Sequence, residues 1–233
     1  MLKLYIANKN YSSWSMRPWV LMTQAGIGFE EIMAPFGTEA EDFSHEFSAE
    51  SRRVVGAVSP AGLVPVLVDG KLAVWDSLAI VEYLAERFPG HALWPRDAAQ
   101  RARARSIVAE MHAGFAALRR RCPMNIAAHL PERGRTALRE DAGVRADLAR
   151  IVAMWSDLLA AHGGPMLFGA FSMADAYYAP VVMRLRTYEL PTPPAIVGYA
   201  ARVQALPGVK AWIDAVLAER TFVPVIKPRR TSR

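Results

Sequence analysis

Three of the four residues from position 12 to position 15 are serines, in the stretch 11-YSSWSMRPW-19, where an alternating apolar pattern gives way to a helical one. At a helix start the free N–H groups and the helix dipole favour an anion, and a serine hydroxyl can donate to it, so a bound thiolate would be stabilised there. Ser12, Ser13 or Ser15 would equally serve as a plain helix cap. A second feature is Val64-Pro65 just ahead of a strand pattern, where the missing proline N–H must not be needed by the sheet. X–Pro bonds are the ones that adopt the cis form; a cis bond would turn the N–H and C=O of Val64 outward to pair with an extended peptide ligand, while a trans proline opening the strand fits the local sequence as well. The third is Asp76-Ser77, at the start of another helical pattern. Ser77 can donate its N–H and hydroxyl to a carboxylate, and Asp76 can pair with an ammonium group.

The elements that must position these residues follow from periodicity. Leu2, Leu4 and Ile6 alternate with Lys3 and Tyr5, and 29-FEEIMA-34 is a second short strand candidate. Between them a helix is expected to begin around Ser13 to Ser15, to hold Pro18 in its first turn, and to end at Gly26. Residues 39–56, acidic and then RRVVG, predict a short or irregular helix. In 64-VPVLVDGKLAVWDS-77 two β-branched runs flank Asp69-Gly70, a strong hairpin signal. The helix 77-SLAIVEYLAERF-88 follows, stopped by Pro89-Gly90. The order βαβ-α-ββα matches a thioredoxin-like layout.

Beyond a linker at 89–97 the strand signals end. Helical patterns at 98–121, 133–161, 173–187 and 208–219 predict an all-α half, so the expected fold is α/β plus all-α. The expected domains are 1–88 and 98–226, followed by a flexible basic tail at 227–233.

The chain has 233 residues, 52% of them apolar, which is enough for a substantial core. No run approaches the roughly 20 apolar residues of a membrane helix, and the first residues carry no export signal, so a cytoplasmic, membrane-free protein is expected. The single cysteine, Cys122, excludes an internal disulfide and dithiol redox chemistry within one chain, and no metal site is expected. The net charge of +6 is unevenly placed: 7 basic against 11 acidic residues in 1–90, and 21 against 11 thereafter. The basic half intersperses its arginines with acids along helical sequence, which reads as solvated helix faces and not as a nucleic-acid surface.

Taken in order and spacing, the three motifs resemble the soluble glutathione transferase superfamily. The resemblance extends to 171-FSMADAYYAPVVMRL-185, similar to a signature of a buried helix in its C-terminal domain, where Ser172 and Asp175 form an S-x-x-D cap. The serine cluster is most similar to the zeta and tau classes, whose serine stands five positions before an arginine. Arg17 marks that arginine, so the resemblance gives Ser12 the catalytic place, with Ser13 next. Trp14 stands where the zeta pattern has cysteine. The stretch 59-SPAGLVPVL-67 implies a cis Pro65 and pairing of Val64 with the cysteinyl backbone of glutathione, while Asp76 and Ser77 would hold its γ-glutamyl end. Arg52 or Arg53 could meet the glycyl end.

The resemblance implies a homodimeric glutathione transferase that uses glutathione as co-substrate and attacks a small hydrophobic electrophile. A serine bond and the helix dipole would lower the thiol pKa from about 8.5–9 toward neutrality, and two units correspond to about 2.7 kcal/mol. Trp14, Met111 and Phe115 are the candidate walls of the electrophile pocket. Two other readings stay open: a glutathione-dependent cis-trans isomerase of the maleylacetoacetate isomerase type, and a non-catalytic glutathione-binding or docking module.

Overall fold

The structure, a computed structural model, describes residues 1–37 and 47–218. The acidic stretch that opens the predicted second helix and the basic tail 227–233 lie outside the described residues.

Strand β1 (Leu2–Ile6) is central, paired on both edges, and its alternating Leu2, Leu4 and Ile6 are buried. It pairs in parallel with β2 (Phe29–Met33), from Leu2 against Phe29 to Ile6 against Met33. On its other edge it pairs antiparallel with β3 (Val66–Asp69), with Tyr5 against Val66. The hairpin then turns at Asp69-Gly70, where Gly70 has φ of 60°, and returns as β4 (Leu72–Val74). Positive φ is unstrained only for glycine, so the turn chemistry fixes the register. The sheet order is β2-β1-β3-β4.

Three helices accompany this sheet: α1 (Ser13–Gln24), α2 (Ala49–Gly56) and α3 (Ser77–Arg87). Because α1 begins at Ser13, Pro18 falls in its second turn and not in its first. The helix therefore forgoes the bond that residue 18 would have given to the Trp14 carbonyl.

After a single 3₁₀ turn at Pro89–His91 the regular elements among the described residues are all helices: α4 (Ala98–Ala113), α5 (Ala116–Arg121), α6 (Pro131–Glu140), α7 (Ala142–His162), α8 (Met173–Tyr188), α9 (Pro194–Ala205) and α10 (Pro207–Ala218). The pattern read as one helix over 98–121 breaks at Gly114 and Phe115, the latter at φ of 55°. The pattern over 133–161 is likewise two helices. Asp141 separates them, accepting hydrogen bonds from the N–H groups of Gly143 and Val144 at 2.9 and 3.3 Å and so capping α7. Helix α9 escaped the periodicity reading because it opens in the proline-rich 191-PTPPAI-196, with Pro194 at its first position, where no N–H is required.

Helix α8 is the axis of the molecule. Every residue along it except Arg186 is buried, and it packs against α1, α4, α6 and α9. Its start is the expected capping box: Ser172 Oγ accepts from Ala174 N–H, and the Asp175 carboxylate accepts from Ser172 N–H at 2.9 Å. Close approach of α6 depends on Gly134, where an added Cβ would overlap the Tyr188 carbonyl oxygen. Gly134→Ala is therefore expected to lower stability by about 1–3 kcal/mol despite alanine's better helix propensity, as thermal unfolding would register. An unchanged or raised midpoint would refute the close packing.

Cys122 is fully buried, and burial pushes its thiol up to about 11. The native chain thus keeps the thiol proton between an ordinary value near 9.0 and about 11, so this contribution to stability is whole below that window and is lost as pH rises through it. At pH near 8 a thiol reagent is expected to label Cys122 only after denaturation. Equal labelling rates in native and unfolded protein would contradict its burial.

Candidate active site

The turn before α1 closes on Asn8, whose carbonyl accepts from Tyr11 N–H and Ser12 N–H at 3.0 and 2.9 Å. Ser12 is the N-cap. Its Oγ accepts from Ser15 N–H at 3.4 Å and donates to Ser15 Oγ at 2.7 Å, and Ser15 Oγ accepts from Ala7 N–H at 3.2 Å. The Ser12 hydroxyl is thus turned into the fold, tying the helix start to the end of β1. Ser13 is held differently: its Oγ accepts from Arg184 Nη2 at 3.3 Å, leaving its own proton to be donated. Asn10 fastens the same turn to the helical half, donating to Asn125 Oδ1 at 3.0 Å and accepting from Ala127 N–H at 2.9 Å.

Arg184 reaches Ser13 from α8. It is fully buried and donates to the Cys122 carbonyl (3.0 Å) and the Pro180 carbonyl (3.2 Å) as well as to Ser13. Arg17, one turn into α1, lies between the ring faces of Trp14 and Tyr177, 4.1 and 4.2 Å from their centroids. Burial pushes both guanidinium groups down to about 10, and the charge of Arg119 adds to the effect on each.

At the second helix start, Asp76 caps α3 by accepting from Leu78 N–H at 3.0 Å. Its other oxygen lies 3.2 Å from His112 Nε2 on α4. His112 Nδ1 is 2.7 Å from the Tyr177 hydroxyl, which lies 3.0 Å from Ser77 Oγ. With Nε2–H directed to the carboxylate, Nδ1 accepts from Tyr177, which accepts in turn from Ser77. The Ser77 hydroxyl is therefore engaged within the fold, and what this helix start offers a ligand is its backbone N–H and the exposed Asp76 carboxylate.

The Val64–Pro65 bond is cis, and the ladder begins only at Val66, so Val64 stands outside it. Ser12, Ser13 and Trp14, Val64 and Pro65, and Asp76 and Ser77 all line one cavity of about 540 Å³, together with Phe36. That volume suits a small-molecule site. Two sequence expectations lie elsewhere: Met111 and Phe115 are buried in the hydrophobic core and are not among the cavity's lining residues. In their place the helical half supplies His112, Arg119 and Arg184. Arg52 and Arg53 sit on the exposed side of α2.

A thioredoxin-like α/β unit and an all-helical unit thus meet over a cavity into which two helix starts point, with buried arginines behind one of them. The chain belongs to the glutathione S-transferase family: residues 11–87 match the family's N-terminal domain and residues 96–215 its C-terminal domain. It is 34% identical over 96 residues to a zeta-class glutathione S-transferase of Euphorbia esula, a match covering 41% of this chain and 38% of that protein. The chain spans less than half the length of the curated relatives it matches. Among solved structures, it resembles a bacterial zeta-class maleyl pyruvate isomerase with a TM-score of 0.67 at 25% identity, covering 92% of this chain and 97% of that one. A glutathione transferase homologue from Burkholderia GL BGR1, solved with bound glutathione, shares the fold with a TM-score of 0.67 at 21% identity, covering 93% and 98% of the two chains. No helix among the described residues is long and apolar enough to cross a membrane.

Proposed function

We propose that the chain is a glutathione transferase that binds glutathione in this cavity and presents its sulfur as a thiolate to a small electrophile. The observation that carries the reading is the convergence of both helix starts and the cis-proline turn on one cavity. The γ-glutamyl ammonium pairs with Asp76 and its carboxylate takes the free N–H groups at the start of α3. The cysteinyl backbone lies along Val64, and the sulfur reaches the start of α1. There Ser13 is the hydrogen donor, because its oxygen already accepts from Arg184, whereas the Ser12 proton is directed to Ser15. The thiolate forms a bond to the electrophilic carbon as the leaving group departs with its electron pair. Residues 1–88 hold glutathione, and 98–226 shape the electrophile's side of the pocket with Trp14. The working form is a cytoplasmic homodimer, which sedimentation showing only monomer at micromolar concentration would contradict.

The zeta-class relatives favour a second reading, in which the thiolate adds to a conjugated double bond, permits rotation and leaves again. Trp14, at the place of the zeta cysteine, sets this chain apart from that pattern. Calorimetric binding of glutathione, followed by assay of free thiol during turnover, tests both. Binding with thiol consumed supports the transferase, product formed with thiol retained supports the isomerase, and absence of binding refutes both.

A further inference from the structure

The floor of the cavity carries more positive charge than the described residues balance. Arg119 and Arg184 line it, and Arg17 lies behind them between the Trp14 and Tyr177 rings; the three are within electrostatic reach of one another, and none of them forms an ion pair among the described residues. Among the described residues the one carboxylate in the cavity lining is Asp76, which faces His112 at the α3 start and not these arginines. A guanidinium has five N–H donors. The three bonds of Arg184 use one N–H on each of its nitrogens, so one remains on each terminal nitrogen. The half-buried Arg119 makes a single long hydrogen bond, to the His112 carbonyl at 3.4 Å, and its guanidinium lies 5.3 Å from the centroid of the Trp14 ring, contacts that leave its charge without an acid among the described residues. It also stands at the junction with a second hollow of about 670 Å³, lined by Arg119, Arg120, Arg121 and Arg133. There Arg120 and Arg121 are answered by Glu140 and Asp141, whereas Arg119 has no such acid.

Cations buried without partners are expensive unless a ligand supplies the counter-charge. The thiolate supplies negative charge at the α1 start, next to Ser13 and Arg184, and leaves Arg119 without any. We propose that the electrophile supplies the charge facing Arg119: it carries a carboxylate or comparable oxyanion that Arg119 grips as a planar fork, with Arg184 behind it, while its reactive carbon faces the sulfur. This rests on the glutathione reading and narrows it from a hydrophobic electrophile to an anionic one. Planar, bidentate recognition of a carboxylate is what a guanidinium does better than an ammonium.

The test compares para-chloro-meta-nitrobenzoate with its neutral methyl ester, which share the reacting carbon and the chloride leaving group. In each, a carbon–sulfur bond forms and chloride departs with the electron pair. Rates are divided by the uncatalysed rates with glutathione. Wild type is expected to favour the anion by about tenfold or more in kcat/KM, the scale of one charge-assisted hydrogen-bond pair. Arg119→Gln is expected to erase that preference through the KM of the electrophile and not of glutathione, and Arg119→Lys to restore part of it. No preference in wild type, or one unchanged in Arg119→Gln, overturns the proposal.

A binding measurement separates this failure from that of the glutathione reading. Calorimetry with unreactive meta-nitrobenzoate and its methyl ester reads the anion site without turnover. Binding of the benzoate that depends on Arg119 in a protein that takes no glutathione leaves the anion site standing and removes the transferase. Glutathione binding with equal affinity for benzoate and ester does the reverse.

Discussion

Ser13→Ala is expected to lower kcat/KM by about 100-fold, the loss seen when one donor to a developing or bound anion is removed from a preorganised site. The mutation takes away the one hydroxyl at the start of α1 whose oxygen is held by a buried guanidinium and whose proton is unspent. It also leaves Arg184 with its bonds to Cys122 and Pro180, so the fold should survive. Ser12→Ala provides the contrast. It removes the N-cap and the bond to Ser15, with an expected stability loss of about 1–2 kcal/mol and a smaller effect on turnover at temperatures where the protein stays folded. Steady-state kinetics on both variants, with circular dichroism as a folding control, decides between them. Loss of activity in Ser12→Ala with Ser13→Ala near wild type would reverse the assignment.

The second large effect concerns stability. Asp175 is fully buried and accepts from Leu167 N–H at 3.1 Å, Ser172 N–H at 2.9 Å, Ser172 Oγ at 3.2 Å and the Tyr199 hydroxyl at 3.0 Å. Asp175→Ala strands all four donors in the core, at an expected loss of about 3–5 kcal/mol. Against a typical total of about 5–15 kcal/mol, that lowers the unfolding midpoint by about 10 °C. Tyr199→Phe, which removes one donor along with its hydroxyl, should cost about 1 kcal/mol. A drop in Asp175→Ala no larger than in Tyr199→Phe would contradict this account of the cap.

Burial pushes the Asp175 carboxyl above its ordinary range, against the pull of its donors. Its titration contribution is then complete below about pH 4 and is lost as pH rises through the folded value, because the native state holds the proton longer. Asp175→Asn does not titrate, so its deficit against wild type should be largest in acid and narrow as pH rises.

What could be read from the sequence was local. The serines before α1, Val64-Pro65 before β3, Asp76-Ser77 before α3 and the Asp69-Gly70 turn each announce themselves within a few residues, because caps, cis prolines and tight turns are short-range chemistry. What joins them is not short-range. Arg184 meets Ser13 across a separation of 171 residues, and Tyr177 meets Ser77 across 100. One signal was available: in the otherwise apolar run 173-MADAYYAPVVMRL-185, an arginine at the end of a buried stretch needs a reason. Met111 and Phe115, expected at a pocket wall, lie in the core because they continue an apolar helical stripe, and such stripes seek the core. The break at Gly114 and Phe115 then brings Arg119, not the stripe, to the cavity. Likewise the Ser77 hydroxyl was expected to face the ligand, and only the arrival of Tyr177 from the other domain shows it engaged.

The most direct test of the central claim is an ultraviolet difference titration of the bound glutathione thiol against pH, in wild type and Ser13→Ala. The structure predicts a thiolate in wild type near neutral pH, at least about one to two units below the free thiol, and a return toward the free value in Ser13→Ala. Glutathione that binds with its ordinary thiol pKa in both proteins would contradict thiolate activation at the start of α1.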